Sequence, residues 1–149
     1  MKSFSVKFLA ILLLSVGIGV AKPLPTSAAP EGTGLPLPRF VSLRANEVNL
    51  RTGPDVQHPI EWVFKRQNLP VEIIAEYKTW RKIRDWQGTQ GWIHQSMVAG
   101  KRTIIVTGNA GSVRTLRTKA DAKSPSLARI EAKVIGKLIS CPGTEGWCR

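Results

Sequence analysis

From residue 39 onward the apolar residues fall in short runs separated by turn formers: "RFVSL" at Arg39, then "EVNLR", "EWVF", "VEIIAEY", "WRKIRDW" and "GWI". Runs rich in Val, Ile and Trp that recur about every 8 to 12 residues predict a small antiparallel barrel or sandwich. "QGTQG" between Trp86 and Trp92 reads as a hairpin turn with Gly88 at the positive backbone angle. "HQSM", His94 to Met97, reads as one helical turn closing this unit. A second series starts at "RTIIV" after Lys101 and turns through "TGNAGS". Two readings compete further on. Leu127, Ile130, Val134 and Leu138 recur at helical spacing, so "LARIEAKVIGKLI" fits an amphipathic helix. Register against the first series favours strands, since Ile130 falls on Phe64 and Ile135 on Leu69.

That register comes from an internal repeat, the feature that most constrains a fold. "VNLRTGP", Val48 to Pro54, returns 66 residues later as "RTLRTKA", Arg114 to Ala120, and "DVQHP" returns as "DAKSP". A further shift of one brings Trp80 onto Trp147. The expected organisation is a unit at residues 39–100 and a second, truncated copy at 101–149. Arg149 aligns with Lys82, so the second copy has no counterpart of Ile83 to Val98, the segment that would close its barrel. An open strand edge invites pairing with another chain. The second unit is therefore expected to be less protected than the first, or to be completed by a partner strand.

"NLRTGP", followed by "WRKI" and then "GWIHQSMV", resembles the bacterial Src-homology-3 family. Its pattern is Asn-Leu-Arg-Gly-Pro, then Trp with a basic strand, then Gly-Trp and a closing turn. The resemblance covers Arg39 to Ala99 well and Arg114 to Arg149 more weakly, because Asn49, Gly53 and Pro54 become Thr115, Lys119 and Ala120. It implies small five-stranded barrels, commonly exported, attached to cell-wall enzymes or acting as binding modules, and hence a non-catalytic role.

The start of the chain changes where such a module would act. Lys2 and Lys7 flank "MKSFSVK", and a 14-residue apolar run follows from Phe8 to Ala21. A membrane-spanning helix needs about 20 residues. A basic start, a short apolar stretch and small residues behind it describe a secretory signal peptide. Cleavage fits after Ala21 or Ala28; Pro23 disfavours the first site, giving residues 1–28 as the signal. "KPLPTSAAPEGTGLPLP", Lys22 to Pro38, has five prolines and no hydrophobic periodicity, so residues 29–38 are expected to be a disordered tether. The expected location is periplasmic or secreted.

The chain carries 22 Lys and Arg against ten Asp and Glu, a formal charge of +12. The excess sits mostly after residue 99, where ten bases face three acids. Outside the cytoplasm the counter-charge is an anionic wall polymer, lipid head groups or an acidic protein rather than nucleic acid. A solvated basic face without a dedicated partner is the plain alternative.

The candidate chemistry is sparse. Cys141 and Cys148 lie in the second unit and His58 and His94 in the first, so neither a cysteine–histidine nucleophile nor a short-spaced zinc set is evident. "TGNAGS" has neither the lysine nor the helix that a phosphate loop needs. No cofactor or metal is expected. In an exported protein the two cysteines are expected to pair, because "PGTEGW" reverses the chain between them; free thiols or an intermolecular bridge are the alternatives. The aromatic pattern is more informative. In "WRKIRDW", Ile83 takes the inward parity, so Trp80, Lys82, Arg84 and Trp86 share the outward one. Two tryptophans interleaved with two cations make a platform for sugar rings or a peptide, unless a bulge turns Trp80 into the core. Trp92 is expected inside the barrel, and Trp62 fits either side. The resulting expectation is a binding module of the cell envelope with peptidoglycan or an envelope protein as partner. The alternative is a basic scaffold or accessory subunit held electrostatically on an anionic surface.

Overall fold

The computed structural model describes residues 32–141 and 146–149. The expected signal peptide and Pro142–Glu145 of the last turn lie outside the described residues. The first unit comprises β1 (Arg39–Leu43), β2 (Val48–Arg51), β3 (Ile60–Phe64), β4 (Pro70–Tyr77), β5 (Trp80–Arg84), β6 (Gln90–His94), a 3-10 turn (Gln95–Met97) and β7 (Val98–Ala99). These strands form one sheet in the order β3-β2-β6-β5-β4-β1-β7, antiparallel throughout. Alternation puts one side chain in two on the inner face. Val41, Leu43, Val48, Leu50, Phe64, Val71, Ile73, Ile83 and Ile93 meet there with Leu69 in a single cluster, so the sheet curls around its own core. The β5–β6 turn is the expected one: Asp85 N–H donates to Thr89 O at 3.0 Å, and Gly88 has φ 91°. Asp85 is itself buried, its Oδ1 accepting from the N–H groups of Gln87 (2.9 Å) and Thr89 (2.8 Å).

Trp92 corrects one expectation. Gly91 and Ile93 take the inner parity of β6, and a Cβ on Gly91 would come within 2.6 Å of Leu50. Trp92 therefore faces outward, half-buried, opposite Lys82 on β5 and Arg51 on β2. Trp62 on β3 is exposed.

One end of the barrel is held by a charged cluster. A bulge at Ile74 shifts β4 against β5 so that Glu76 faces Arg81. Arg81, 3% exposed, sends Nε to Glu76 at 3.2 Å, Nη1 to the carbonyls of Lys78 (2.8 Å) and Trp80 (2.9 Å), and Nη2 to Gln95 Oε1 at 2.7 Å. Glu76 also pairs with Arg39 on β1. The N–H and Oγ1 of Thr33 donate to Glu76 Oε2 at 2.6 and 2.9 Å. Residues 32–38 thus contain no strand or helix, as the prolines dictate, yet they do not hang free: Thr33 is pinned to β4. Burial pushes the Glu76 carboxyl up, but the hydrogen bonds from Arg39 and Thr33 and the charge of Arg81 outweigh it and bring the group down to about 2.

The second series forms strands, not a helix: β8 (Thr103–Ile105), β9 (Val113–Arg117), β10 (Ser126–Glu131) and β11 (Ile135–Lys137), paired as β9–β10 and β8–β11. The β9–β10 register is that of β2–β3 moved along by 66 residues. Val48↔Phe64, Leu50↔Trp62 and Arg51↔Ile60 become Arg114↔Ile130, Leu116↔Ala128 and Arg117↔Ser126, with the bulge at the same step. The connecting loops match bond for bond. Thr52 N–H donates to Pro59 O and Thr118 N–H to Pro125 O, both at 3.1 Å; Arg51 Nη1 donates to His58 O and Arg117 Nη1 to Ser124 O, both at 2.7 Å. Asp55 Oδ1 accepts from Gln57 N–H as Asp121 Oδ1 accepts from Lys123 N–H, at 2.8 Å in each loop.

The two series differ in what they bury. Among the described residues after Gly100 no apolar side chain is fully buried; Leu116, at the position of the wholly buried Leu50, is 42% exposed. Each large apolar side chain left in water forgoes roughly 1.5–3 kcal/mol. The second series leans on the first: Ile105 and Ile135 pack against the first core, Thr103 Oγ1 donates to Asn68 O at 2.7 Å, and Arg66 Nη1 to Lys133 O at 2.7 Å.

Two measurements follow from this packing. Amide hydrogen exchange of the mature protein should show β9 and β10 exchanging faster than β4, β5 and β6; equal protection would mean that the second series is closed by contacts other than these. The second measurement concerns Glu76. Its carboxyl binds a proton more weakly folded than unfolded, so its contribution is complete above pH 4.5 and drains away as the pH falls towards 2. Glu76→Gln should cost on the order of 2 kcal/mol at pH 7, with screening allowed for, and less at pH 3. Urea unfolding at both pH values checks this, and an equal loss at pH 7 and pH 3 would remove the charge from the account.

Candidate functional site

The four residues expected to form one platform are divided by the structure between two places. Trp80, Lys82 and Arg84 do share the outward parity of β5, while Ile83 is fully buried on the other side. Trp80 nevertheless is only 9% exposed. No bulge in β5 turns it inward. It is covered on the outer face, where the His94 ring packs edge-on at 5.6 Å between centroids and 81° between planes. That ring is fixed in turn: its Nδ1 lies 2.8 Å from Ser96 Oγ and accepts from Ser96 N–H at 3.3 Å. Trp80 is thus a wall and not a platform.

The space it walls is a cleft of about 520 Å³ between the 52–59 loop and the β4–β5 turn, lined by Pro54, Asp55, His58, Tyr77, Lys78, Thr79 and Trp80. Both sides are braced. On the loop side Arg51 holds the His58 carbonyl, and Asp55 holds the Gln57 N–H. His58 sits directly against Gly53, where a Cβ would come within 2.4 Å of the imidazole. On the turn side Arg81 clamps the carbonyls of Lys78 and Trp80. Lys78 takes a left-handed conformation, φ 49°, and its Nζ lies 5.1 Å from the centre of the Tyr77 ring, a cation–π contact at the mouth of the cleft. Tyr77 is exposed, so its ring is the accessible aromatic surface at the mouth of the cleft. The rim carries one acid, Asp55, and one base, Lys78. Lys82 lies one row further along the same face, between Trp92 and Ala75.

Arg84 and Trp86 point elsewhere. Arg84 is tied to Glu72, with Nη2 2.6 Å and Nε 3.1 Å from Glu72 Oε2. With the 39% exposed Trp86 it lines a groove of about 530 Å³ at the junction of the two series, together with Phe40, Pro70, Val71, Arg102, Ile104 and Leu138. Thr103 and Ile105, which join the second series to the first, lie in the same lining.

Pro54, His58, Tyr77 and Lys78 were not among the binding residues expected from the sequence. Their signal was present in "TGPDVQHP" and "EYKTW", two polar turns with an aromatic or proline in each, but only the fold sets those turns face to face. Among the described residues no three His, Cys, Asp or Glu side chains converge in a way that holds a metal ion, and no helix is long and apolar enough to cross a membrane. Cys141 and Cys148 are joined in a disulfide with the alpha carbons 4.3 Å apart. Ser140 and Arg149 exchange both backbone hydrogen bonds, at 2.9 and 2.7 Å, so the cysteines occupy the adjacent non-hydrogen-bonded pair, where cross-strand neighbours approach most closely.

No curated protein matches the chain. Residues 44–100 match the family described as bacterial SH3 domain, a family of binding modules, over the segment that carries β2 to β7 and the whole of the braced cleft. The first unit of this chain is a member of the bacterial SH3 domain family.

Proposed function

We propose that this is an exported, non-catalytic protein of the bacterial envelope whose first unit holds peptidoglycan in the cleft between the 52–59 loop and the β4–β5 turn. The observation that carries this reading is the bracing of that cleft on both sides around Tyr77, Pro54 and Trp80, which presents aromatic surface beside one acid and one base without an ordering cost on binding. Sugar rings and short peptides offer an apolar face with polar groups at its edge, the complement of such a lining. The disulfide and the apolar run at Phe8–Ala21 fit export. An envelope protein that offers an extended peptide is served by the same lining.

A basic scaffold held by charge alone is favoured by one specific observation, the ten bases against three acids after residue 99. Salt separates the two readings, because exposed charge contacts are screened and aromatic stacking persists.

Retention of the mature protein on purified wall sacculi is the test. Tyr77→Ala should reduce retention about two- to tenfold, the worth of an aromatic contact, with the melting temperature unchanged. Trp86→Ala should leave retention as it was. The reverse outcome would move the site to the junction groove, and retention that disappears in high salt with no effect of Tyr77→Ala would establish the electrostatic scaffold instead.

A further inference from the structure

The pairing between Ser140 and Arg149 reveals what the disulfide replaces. In the first unit Ala75 lies opposite Lys82, and the next pair towards the turn is Glu76 opposite Arg81. In the second, Ser140 lies opposite Arg149, and the next pair is Cys141 with Cys148. The covalent bond thus stands where the first unit has its buried ion pair. One step further, Trp80 of the first unit finds its counterpart in Trp147. The loop that faces Trp80 also has its counterpart, with the same hydrogen bonds, in residues 118–125. Between that loop and Trp147 lies a cleft of about 350 Å³ whose lining includes Leu116, Arg117, Lys119, Ala120, Trp147 and Arg149.

We infer that this is a second ligand cleft, which shares with the first its hydrogen-bonded loop and the tryptophan after the turn but is walled also by β9, and which takes an anionic chain, a carboxylate-bearing polymer by preference. The two clefts differ in their charges. The first cleft balances Asp55 against Lys78. The second sets Arg117, Lys119 and Arg149 around Trp147, with no acidic side chain in its lining among the described residues. Asp121 makes the same hydrogen bond as its counterpart Asp55, but unlike Asp55 it does not line the cleft. Lys119 replaces Gly53 without loss of the turn because Ser124 replaces His58: the small hydroxyl leaves room for a side chain, and Ser124 Oγ takes up the Lys119 backbone at 3.2 and 3.3 Å. A cation is thereby seated at the rim of a cleft where the first unit can tolerate only glycine. Two such clefts on one chain allow a repeating polymer to be gripped twice, and linked sites gain avidity without new contacts. The double grip, which needs the first cleft to hold the same polymer, rests on the function proposed above.

The test uses the full mature protein and poly-L-glutamate as the probe, titrated by calorimetry at low salt. Lys119→Glu should weaken binding about fivefold. Lys137→Glu, the same charge change at the exposed last position of β11 outside the cleft, should weaken it much less. Trp147→Ala, and Cys141→Ser combined with Cys148→Ser, should each weaken it while leaving the effect of Tyr77→Ala on sacculus retention intact. Equal losses for Lys119→Glu and Lys137→Glu would overturn the second cleft, since the basic surface would then act without a site. So would full affinity in Trp147→Ala. Sacculus retention of Tyr77→Ala is read separately, so failure of the peptidoglycan reading and failure of the second cleft give different results.

Discussion

The carboxylate of Glu76 is the point on which the first unit turns. It receives Arg39 from β1, Arg81 from β5 and Thr33 from the proline-rich segment, and Arg81 passes the restraint on to the carbonyls of the β4–β5 turn and to Gln95. Burying a charge this way is expensive unless its hydrogen bonds are met, and replacing one partner alone strands the other. Here the carboxylate oxygens are met by several donors, and the cluster closes one end of a barrel whose apolar core is made of Val, Leu and Ile side chains with Phe64. What the cluster fixes is local geometry. Lys78 in a left-handed conformation and Trp80 at the first position of β5 would otherwise be the loosest part of the sheet, and they form one side of the cleft.

The second series shows how much of this design survives when the core is taken away. Its loop keeps Arg117, Thr118, Asp121 and Pro125, and with them the backbone bonds made by Arg51, Thr52, Asp55 and Pro59. Those bonds are local and need no core beneath them. The restraint on the following turn cannot be local in the same sense, because a buried ion pair needs surroundings that exclude water. With Leu116 exposed and no fully buried apolar side chain among the described residues there, a Glu–Arg pair would be solvated and worth little. A disulfide does not depend on the dielectric around it, and both cysteines are exposed. The exchange of an ion pair for a covalent bond follows from the lack of a core.

The alternation of β5 and the repeat made much of this legible in the sequence. Ile83 was assigned to the core by parity, the hairpin turn by Gly88, and the strands of the second series by register against Phe64 and Leu69. Trp92 was misplaced because a tryptophan is read as core by its size, whereas Gly91 is the inward residue here and its missing side chain is what lets β6 approach β2. Trp80 shows a different limit. Its outward direction followed from the sequence; its burial did not, since His94 covers it from the neighbouring strand and that pairing, Trp80↔His94, depends on register. The roles of Glu76 and Arg81 were hidden for the same reason, the extra residue at Ile74 that swings Glu76 round to face Arg81.

The one-residue slip between the two halves of the repeat, 66 at the Leu-Arg-Thr motif and 67 at the tryptophan, now has a structural origin. Leu69 to Ile135 keeps the spacing of 66. Ala75 and Ser140, each opposite the base that follows the turn, are 65 apart, so the second series has lost one residue between Ile135 and Ser140, although the N–H groups of Ile139 (2.5 Å) and Ser140 (2.9 Å) still donate to the one carbonyl of Arg149, as in a bulge. Arg81 and Cys148 are 67 apart, so the turn has gained two residues: Glu76 and Arg81 are separated by five positions, Cys141 and Cys148 by seven. Loss of one and gain of two give the observed slip. The bulge served to bring a carboxylate opposite an arginine. Where a disulfide makes the connection, two cysteines in a non-hydrogen-bonded pair suffice, and no carboxylate has to be buried.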